Sequence, residues 1–305
     1  LDDIVNGAAV VINVASARCR VFRGGQELDC IVPAEMAARQ KSALAVGDRV
    51  LLDDAAPPRL REVLPRRTLL SRPDPLNPRR ERLIAANIDA VANVVSVKKP
   101  PLRPRLIDRF LIAIQRGGAA PLIVVNKIDA VAPDERAREL EPLRVYEEIG
   151  VPVVACSAKT GEGLDTLRAA LSGKTSAFVG HSGVGKSSLL NALDERLQIA
   201  TGDLHRRGTG RHTTSSSTLH DLGGGTLIID TPGIREFGLW DLTPRTLRES
   251  FPEFDEPAEL CRFNDCSHLH EPGCEVKERV AGGALSRARY DTYVRLAEDL
   301  SCEKR

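Results

Sequence analysis

A chain of 305 residues is too long for one small core and predicts two or three domains. Apolar residues make up 42% and charged residues 28%, the proportions of an ordinary soluble globular protein. Lys and Arg number 43 against 42 Asp and Glu, so the formal charge of +1 says nothing about partners. No apolar stretch approaches the roughly 20 residues that span a bilayer, and no basic start followed by an apolar run marks a secretory leader. Three of the seven cysteines crowd between Cys261 and Cys274, which suits metal ligation better than a disulfide framework. A cytoplasmic protein with no membrane partner is expected.

Residues 1–66 read as short strands. Val10–Val14 is an apolar run, Arg20–Phe22 leads into the turn Gly24-Gly25, and Leu28–Val32 follows. Val46-Gly47-Asp48 turns into Val50-Leu51-Leu52. Short strands punctuated by glycine turns predict a small barrel. Arg72-Pro73-Asp74-Pro75 and Asn77-Pro78 then read as a Pro-rich connector. Local charge is uneven here: Arg66, Arg67, Arg72, Arg79, Arg80 and Arg82 belong to a basic stretch running from Arg59 to Arg116. Such a stretch either steers toward nucleic acid or is a solvated face.

Residues 67–250 change pattern. Ile88–Val97 reads as a buried strand and Leu106–Gln115 as a helix ended by Gly117-Gly118. Leu122–Val125 is a strand, and a charged helical stretch runs on to Glu148. Val151–Ala155, Ser176–Val179 and Leu227–Ile229 are further strands, with helices over Leu164–Leu171 and Lys186–Leu193. This alternation predicts a parallel sheet covered on both faces.

Four loops of this region carry chemistry. Asn126-Lys127-Ile128-Asp129 caps the strand Leu122–Val125. Asp129 can accept from N1–H and the 2-amino group of guanine; adenine lacks both donors and would leave that carboxylate unpaired. Asn126 can reach the Hoogsteen edge of the base, and Lys127 can lie along its face. Ser157-Ala158-Lys159 fits the supporting loop whose backbone contacts O6. Gly180-His181-Ser182-Gly183-Val184-Gly185-Lys186-Ser187, followed by Ser188, fits G-x-x-x-x-G-K-[ST] between a strand and a helix. Its backbone N–H groups and the helix N-terminus suit phosphate oxygens. Lys186 would reach the β- and γ-phosphates and Ser187 would hold Mg²⁺. Asp230-Thr231-Pro232-Gly233 follows an apolar strand, with a carboxylate for Mg²⁺ and a glycine N–H for the γ-phosphate. Together the loops favour GTP over ATP.

Between the phosphate loop and Asp230 lies Gly208-Thr209-Gly210-Arg211-His212-Thr213-Thr214, where a γ-phosphate-sensing loop belongs. A threonine hydroxyl there can complete the Mg²⁺ shell. Ile234 stands where many GTPases carry a glutamine that orients the attacking water, so another group or a partner must do so. His212 is the candidate, since imidazole can position or polarise water near neutral pH. The alternative is a loop histidine that only contacts phosphate or RNA.

Residues 251–305 are rich in Cys and His before a helix from about Arg287 to Leu300, where Tyr290, Tyr293 and Leu296 form a core stripe. Cys261-x4-Cys266-x-His268-x5-Cys274 offers three thiolates and one imidazole, a tetrahedral set for one structural zinc, with His270 as a spare.

The order of these motifs is rotated. The guanine loops come first, then the phosphate loop, the threonine-rich loop and D-T-P-G, whereas ordinary GTPases begin with the phosphate loop. The chain resembles the circularly permuted small-ribosomal-subunit biogenesis GTPases of the RsgA (YjeQ) family over nearly its whole length. That resemblance implies an α/β P-loop GTPase domain behind an OB-like barrel that binds rRNA, with a zinc-binding helical segment after it. It implies GTP hydrolysis timing release from the small ribosomal subunit late in its maturation, Thr213 or Thr214 as the Mg²⁺ ligand, and His268 rather than His270 on zinc. A monomer is expected. The family barrel often carries a basic R-G-like stretch where this chain reads Cys30-Ile31-Val32-Pro33-Ala34-Glu35-Met36, which weakens the expected rRNA contact there. Two rivals stand beside this reading: a non-catalytic GTP-binding RNA-binding protein, and a permuted GTPase acting on the large subunit.

Overall fold

The structure, a computed structural model, describes residues 8–15, 17–38, 44–75, 77–199, 217–231 and 238–302. Its first five strands are β1 (Ala9–Val14), β2 (Arg18–Arg23), β3 (Gln26–Ile31), β4 (Arg49–Leu52) and β5 (Leu60–Val63). Gly24 and Gly25, at φ 56 and 81, form the two-residue turn between β2 and β3, a conformation that favours glycine at both positions. β1 pairs with β2 and β4, β4 pairs with β5, and a parallel bridge from Ile31 to Arg59 closes the ring. Ala9, Val11, Cys19, Val21, Cys30, Val50 and Leu60 fill the interior. The result is a small barrel.

The Pro-rich stretch is not an open connector. It forms an antiparallel hairpin of β6 (Leu69–Asp74) and β7 (Asn77–Ala86). Pro73 sits beside a register shift in this separate two-stranded sheet, and prolines are tolerated at such edge and bulge positions. The barrel is clamped to the hairpin where Ala86 N–H donates to the Val46 carbonyl at 2.9 Å. Gly47 (φ +90) allows that approach, since a Cβ there would lie 2.1 Å from the Ala86 carbonyl oxygen.

The remaining strands are β8 (Ala90–Ser96), β9 (Ala120–Asn126), β10 (Val153–Ala155), β11 (Thr175–Val179), β12 (Thr218–Gly223) and β13 (Thr226–Asp230). They run in the order β10-β9-β8-β11-β13-β12, parallel except for β12. Val91, Ala177, Val179 and Ile229 pack on one face with Phe110 and Ile114 of helix Pro104–Arg116. Val94, Leu122, Val124, Phe178 and Ile228 pack on the other with helices Leu164–Leu171 and Lys186–Leu193. The charged stretch before β10 is broken into helix Arg136–Leu140, a 3₁₀ turn and helix Arg144–Glu148; the turn carries Pro142, which cannot supply a backbone donor.

β12 also pairs with β1, joining barrel and parallel sheet into one 11-stranded sheet. Asn13 faces Thr218 there and donates to its hydroxyl at 3.3 Å and to the Ser217 carbonyl at 3.4 Å. β1 is therefore buried on both sides: Ala9 and Val11 face the barrel core, while Val10 and Ile12 face Leu70, Ile88 and Ile229. Behind the sheet, Phe251, Phe254, Tyr293 and Leu296 of the C-terminal segment pack on Ile112 of helix Pro104–Arg116. Among the described residues no helix is long and apolar enough to cross a membrane.

Candidate nucleotide site and metal centre

Five parallel strands end at one rim, and the chemistry-bearing loops leave from it. β11 runs into residues 180–185, which open helix Lys186–Leu193. Close packing dictates the glycines. A Cβ on Gly180 would lie 2.2 Å from the Val94 carbonyl oxygen, and one on Gly185 (φ +91) would lie 2.5 Å from the Asn126 amide nitrogen. Lys186 is buried and donates to the Gly180 carbonyl at 2.9 Å. Burial lowers its pKa to about 8, with Asp230 pulling the other way. Asp230, at the end of β13, is pushed by burial up to about 6, opposed by Lys186. An ammonium and a carboxylate thus flank one desolvated space, each held closer to neutrality than it would be in water. Beside them Thr231 is buried, its hydroxyl donating to the Phe178 carbonyl at 2.6 Å.

The two upstream loops reach the same rim. Asn126, at the end of β9, is buried and binds three loops at once. Its amide donates to the Val184 carbonyl at 3.0 Å, and its carbonyl accepts from Lys127 N–H at 2.8 Å and Ala158 N–H at 3.1 Å. Both its polar atoms are engaged by protein, so that it links the upstream loops to the phosphate loop at the position where the sequence predicts a base contact. Lys127, in the left-handed region at φ 66, spans to the Lys99 carbonyl at 2.6 Å and the Gly183 carbonyl at 2.5 Å. The Ser157 hydroxyl donates to Asp129 at 2.6 Å and accepts from Lys159 N–H and Thr160 N–H at 3.2 and 3.1 Å. That leaves the exposed Asp129 carboxylate oriented at the rim. Gly163, which the sequence reading passed over, seats this loop: a Cβ there would lie 2.2 Å from the Ala155 carbonyl oxygen. Its signal was the glycine pair Gly161 and Gly163 just after Ser157.

His212, Thr213, Thr214, Gly233 and Ile234 lie outside the described residues. Of the phosphate-loop residues, Ser182 and Ser187 are half-buried, while Ser188 is exposed on the helix. His181 is half-buried, with its Nδ1 2.7 Å from the Ser182 carbonyl.

Away from this rim, the ligand atoms of Cys261, Cys266, His268 and Cys274 all lie within 4.8 Å of one another. His268 Nδ1 is 3.7 Å from Cys261 Sγ and 3.5 Å from Cys274 Sγ, and these two sulfurs are 3.9 Å apart. A tetrahedron of zinc–sulfur bonds near 2.3 Å and a zinc–nitrogen bond near 2.0 Å has edges of about 3.5–3.8 Å, so the donor set fits that ion. Glu271 shapes the loop by accepting from Ser267 N–H and hydroxyl at 2.9 and 2.7 Å and from Leu269 and His270 N–H at 3.2 Å. The hydroxyls of Tyr290 and Tyr293 donate to the carbonyls of His268 and Ser267, both at 2.7 Å.

A phosphate loop at the end of a central parallel strand, with its companion base-reading loops placed before it in the chain, defines the class: a P-loop GTPase with circularly permuted motifs. Comparison with known proteins narrows this. The RsgA GTPase family model matches residues 63–240. The small ribosomal subunit biogenesis GTPase RsgA of Haemophilus influenzae (strain 86-028NP) is 41% identical over 270 residues, 86% of this chain and 77% of that protein. The protein of the same name from Sodalis glossinidius (strain morsitans) is 41% identical over 242 residues, 78% of this chain and 69% of its own. The crystal structure of YjeQ from Thermotoga maritima superposes with a TM-score of 0.76 at 32% identity, covering 96% of this chain and 98% of that one. That of YloQ, described as a circularly permuted GTPase, gives 0.73 at 27% identity, covering 98% and 96%. This chain belongs to the RsgA GTPase family, and its reaction is the hydrolysis of GTP to GDP and phosphate.

Proposed function

We propose that this GTPase acts on the small ribosomal subunit late in its maturation, binding it in the GTP state and using hydrolysis to time release. The observation that carries the reading is the single rim shared by Asp129, Lys186 and Asp230 in a chain whose relatives are named for small-subunit biogenesis. In this reading Asp129 accepts from the guanine edge, with Ser157, Ala158 and Lys159 beneath it and Asn126 and Lys127 holding the loops together. Residues Gly180 to Ser188 cradle the phosphates, with Lys186 on the β- and γ-oxygens. Ser187, Asp230 and Thr213 or Thr214 would hold Mg²⁺, which when bound neutralises charge developing on the transferred phosphoryl group. Lys186 and Asp230 would regain full charge as the phosphates and the cation enter between them. Gly233 N–H would donate to the γ-phosphate, and His212 would position the attacking water in place of the glutamine that Ile234 replaces.

Cys261, Cys266, His268 and Cys274 would hold one zinc ion, leaving no ligand position for water and hence a structural role. The chain divides into an OB-like barrel over 1–66, the permuted GTPase domain over 67–250 and the zinc-binding segment over 251–305. The barrel and the basic hairpin β6–β7 contact rRNA, and the protein works in the cytoplasm as a monomer. Sedimentation with separated subunits tests this. A non-hydrolysable GTP analogue is expected to carry the protein into the small-subunit fraction and GDP to release it. Co-migration with large subunits instead would overturn the reading.

A further inference from the structure

A buried ionic network under the C-terminal helix lies away from the nucleotide loops yet reaches their foundations. Arg289 is 2% exposed, on helix Arg287–Cys302. Its Nη1 donates to Asp108 Oδ1 at 2.8 Å, and its Nε and Nη2 donate to Glu253 at 2.6 and 3.0 Å. The guanidinium also lies over the Phe251 ring, 4.5 Å from its centroid. One cation therefore serves two carboxylates, the buried Asp108 and the half-buried Glu253. Asp108, 1% exposed in the middle of helix Pro104–Arg116, finds a further neutral donor: the Tyr146 hydroxyl lies 2.9 Å from the same Oδ1. Such a triad tolerates one arrangement, because displacing any member strands a buried charge.

Tyr146 ties this network to the base-reading loops. Its ring, 1% exposed, belongs to the core that contains Val125 and Ile128. Ile128 stands between Lys127 and Asp129, so the core under Tyr146 sets how deep that loop sits. The Tyr146 carbonyl accepts from Val151 N–H at 2.9 Å, fixing the turn into β10, beyond which Ser157 holds Asp129. The Tyr146 ring thus underlies the loop that carries Asp129, and its backbone carbonyl anchors the turn that leads toward Ser157.

We propose that Arg289, Asp108 and Tyr146 are positioning residues for guanine specificity, through which the C-terminal helix fixes the Asp129 carboxylate against the base. The inference rests on the reading of Asp129 as the guanine acceptor. Arg289 is suited to the task because its planar fork grips Glu253 with two N–H groups while a third reaches Asp108, a geometry a point-like lysine ammonium does not reproduce.

Calorimetric affinities of the chain for GDP and for inosine diphosphate test it. The inosine base lacks the 2-amino group, one of the two donors Asp129 accepts from. Both ligands draw on the same folded population, so their affinity ratio does not move when a substitution only destabilises the fold. The wild-type chain is expected to prefer GDP, and equal affinities would remove the Asp129 reading and this inference with it. Given that preference, Arg289→Lys and Tyr146→Phe are each expected to lower the ratio by about threefold or more. Tyr146→Phe deletes one neutral hydroxyl from a packed ring and carries the test alone if the charge-bearing variant fails to fold. Arg287→Ala, which removes an exposed pair with Asp291 on the same helix, is expected to keep the wild-type ratio. An unchanged ratio in Tyr146→Phe, or an equal fall in Arg287→Ala, would overturn the proposal.

Discussion

Asp129 is held from behind by a serine hydroxyl at 2.6 Å and faces the rim with its remaining acceptor capacity. A carboxylate so placed can accept two hydrogen bonds from guanine, and a carboxamide cannot. Asp129→Asn is therefore expected to weaken GTP binding by about tenfold or more and to raise the relative affinity for xanthosine triphosphate, whose 2-oxo group accepts from the new amide. Competition binding with the two nucleotides reads the change, and an unaltered preference for GTP would remove Asp129 from base recognition. Cysteines outside the Cys/His cluster follow a different logic. Burial pushes the Cys156 thiol up to about 12, and burial together with the neighbouring Cys30 does the same for Cys19. The sign is plain: a raised thiol pKa leaves the group protonated and unreactive until well above neutral pH. Iodoacetamide at about pH 8 is expected to leave Cys19 and Cys156 unlabelled in the folded protein and to label both in denaturant. Peptide mapping of the alkylated protein checks it, and rapid native labelling of either would contradict the packing described.

Among the elements, β1 bears the most unusual load, since both its faces are interior. Its run of Ala9-Val10-Val11-Ile12 shows in the sequence as unbroken apolarity rather than alternation, and that is the mark of a strand covered on both sides. Ile12→Ala empties space between barrel and parallel sheet and is expected to cost about 2–4 kcal/mol. Urea denaturation measures the loss; a change below about 0.5 kcal/mol would mean that the two units do not share a core. The helices Leu164–Leu171 and Lys186–Leu193 were legible to the residue, because a glycine precedes each and apolar spacing fills the rest. The glycines at 180 and 185 also marked the phosphate loop, since a Cβ at either would lie within 2.5 Å of the Val94 carbonyl oxygen or the Asn126 amide. Other elements were not legible. β12 carries Thr218, His220 and Asp221, too polar to announce a strand; its strand character comes from pairing with β13 and β1. The hairpin β6–β7 hid behind its prolines, which edge pairing tolerates. Arg289 and Asp108 carry no sequence signal of burial; their opposition between the C-terminal helix and helix Pro104–Arg116 makes them interior.

At the scale of the whole molecule, one 11-stranded sheet runs from the base-reading loops through the phosphate loop to the barrel, and the C-terminal segment rests on the helix behind it. Permutation leaves the rim intact because the described loops after β9, β10, β11 and β13 each start at the carboxyl end of a strand, so the chain can be rejoined elsewhere without moving them. The same order puts the barrel and hairpin at one end of the sequence and the Cys/His cluster at the other, on either side of the nucleotide motifs. Lacking a glutamine at Ile234, the isolated chain should hydrolyse GTP slowly and depend on a partner for the full rate. The most direct measurement is phosphate release from GTP by the protein alone, with small ribosomal subunits, and with large ones. The account predicts a stimulation of about tenfold or more by small subunits only. An unchanged rate with small subunits, or equal stimulation by large ones, would contradict it.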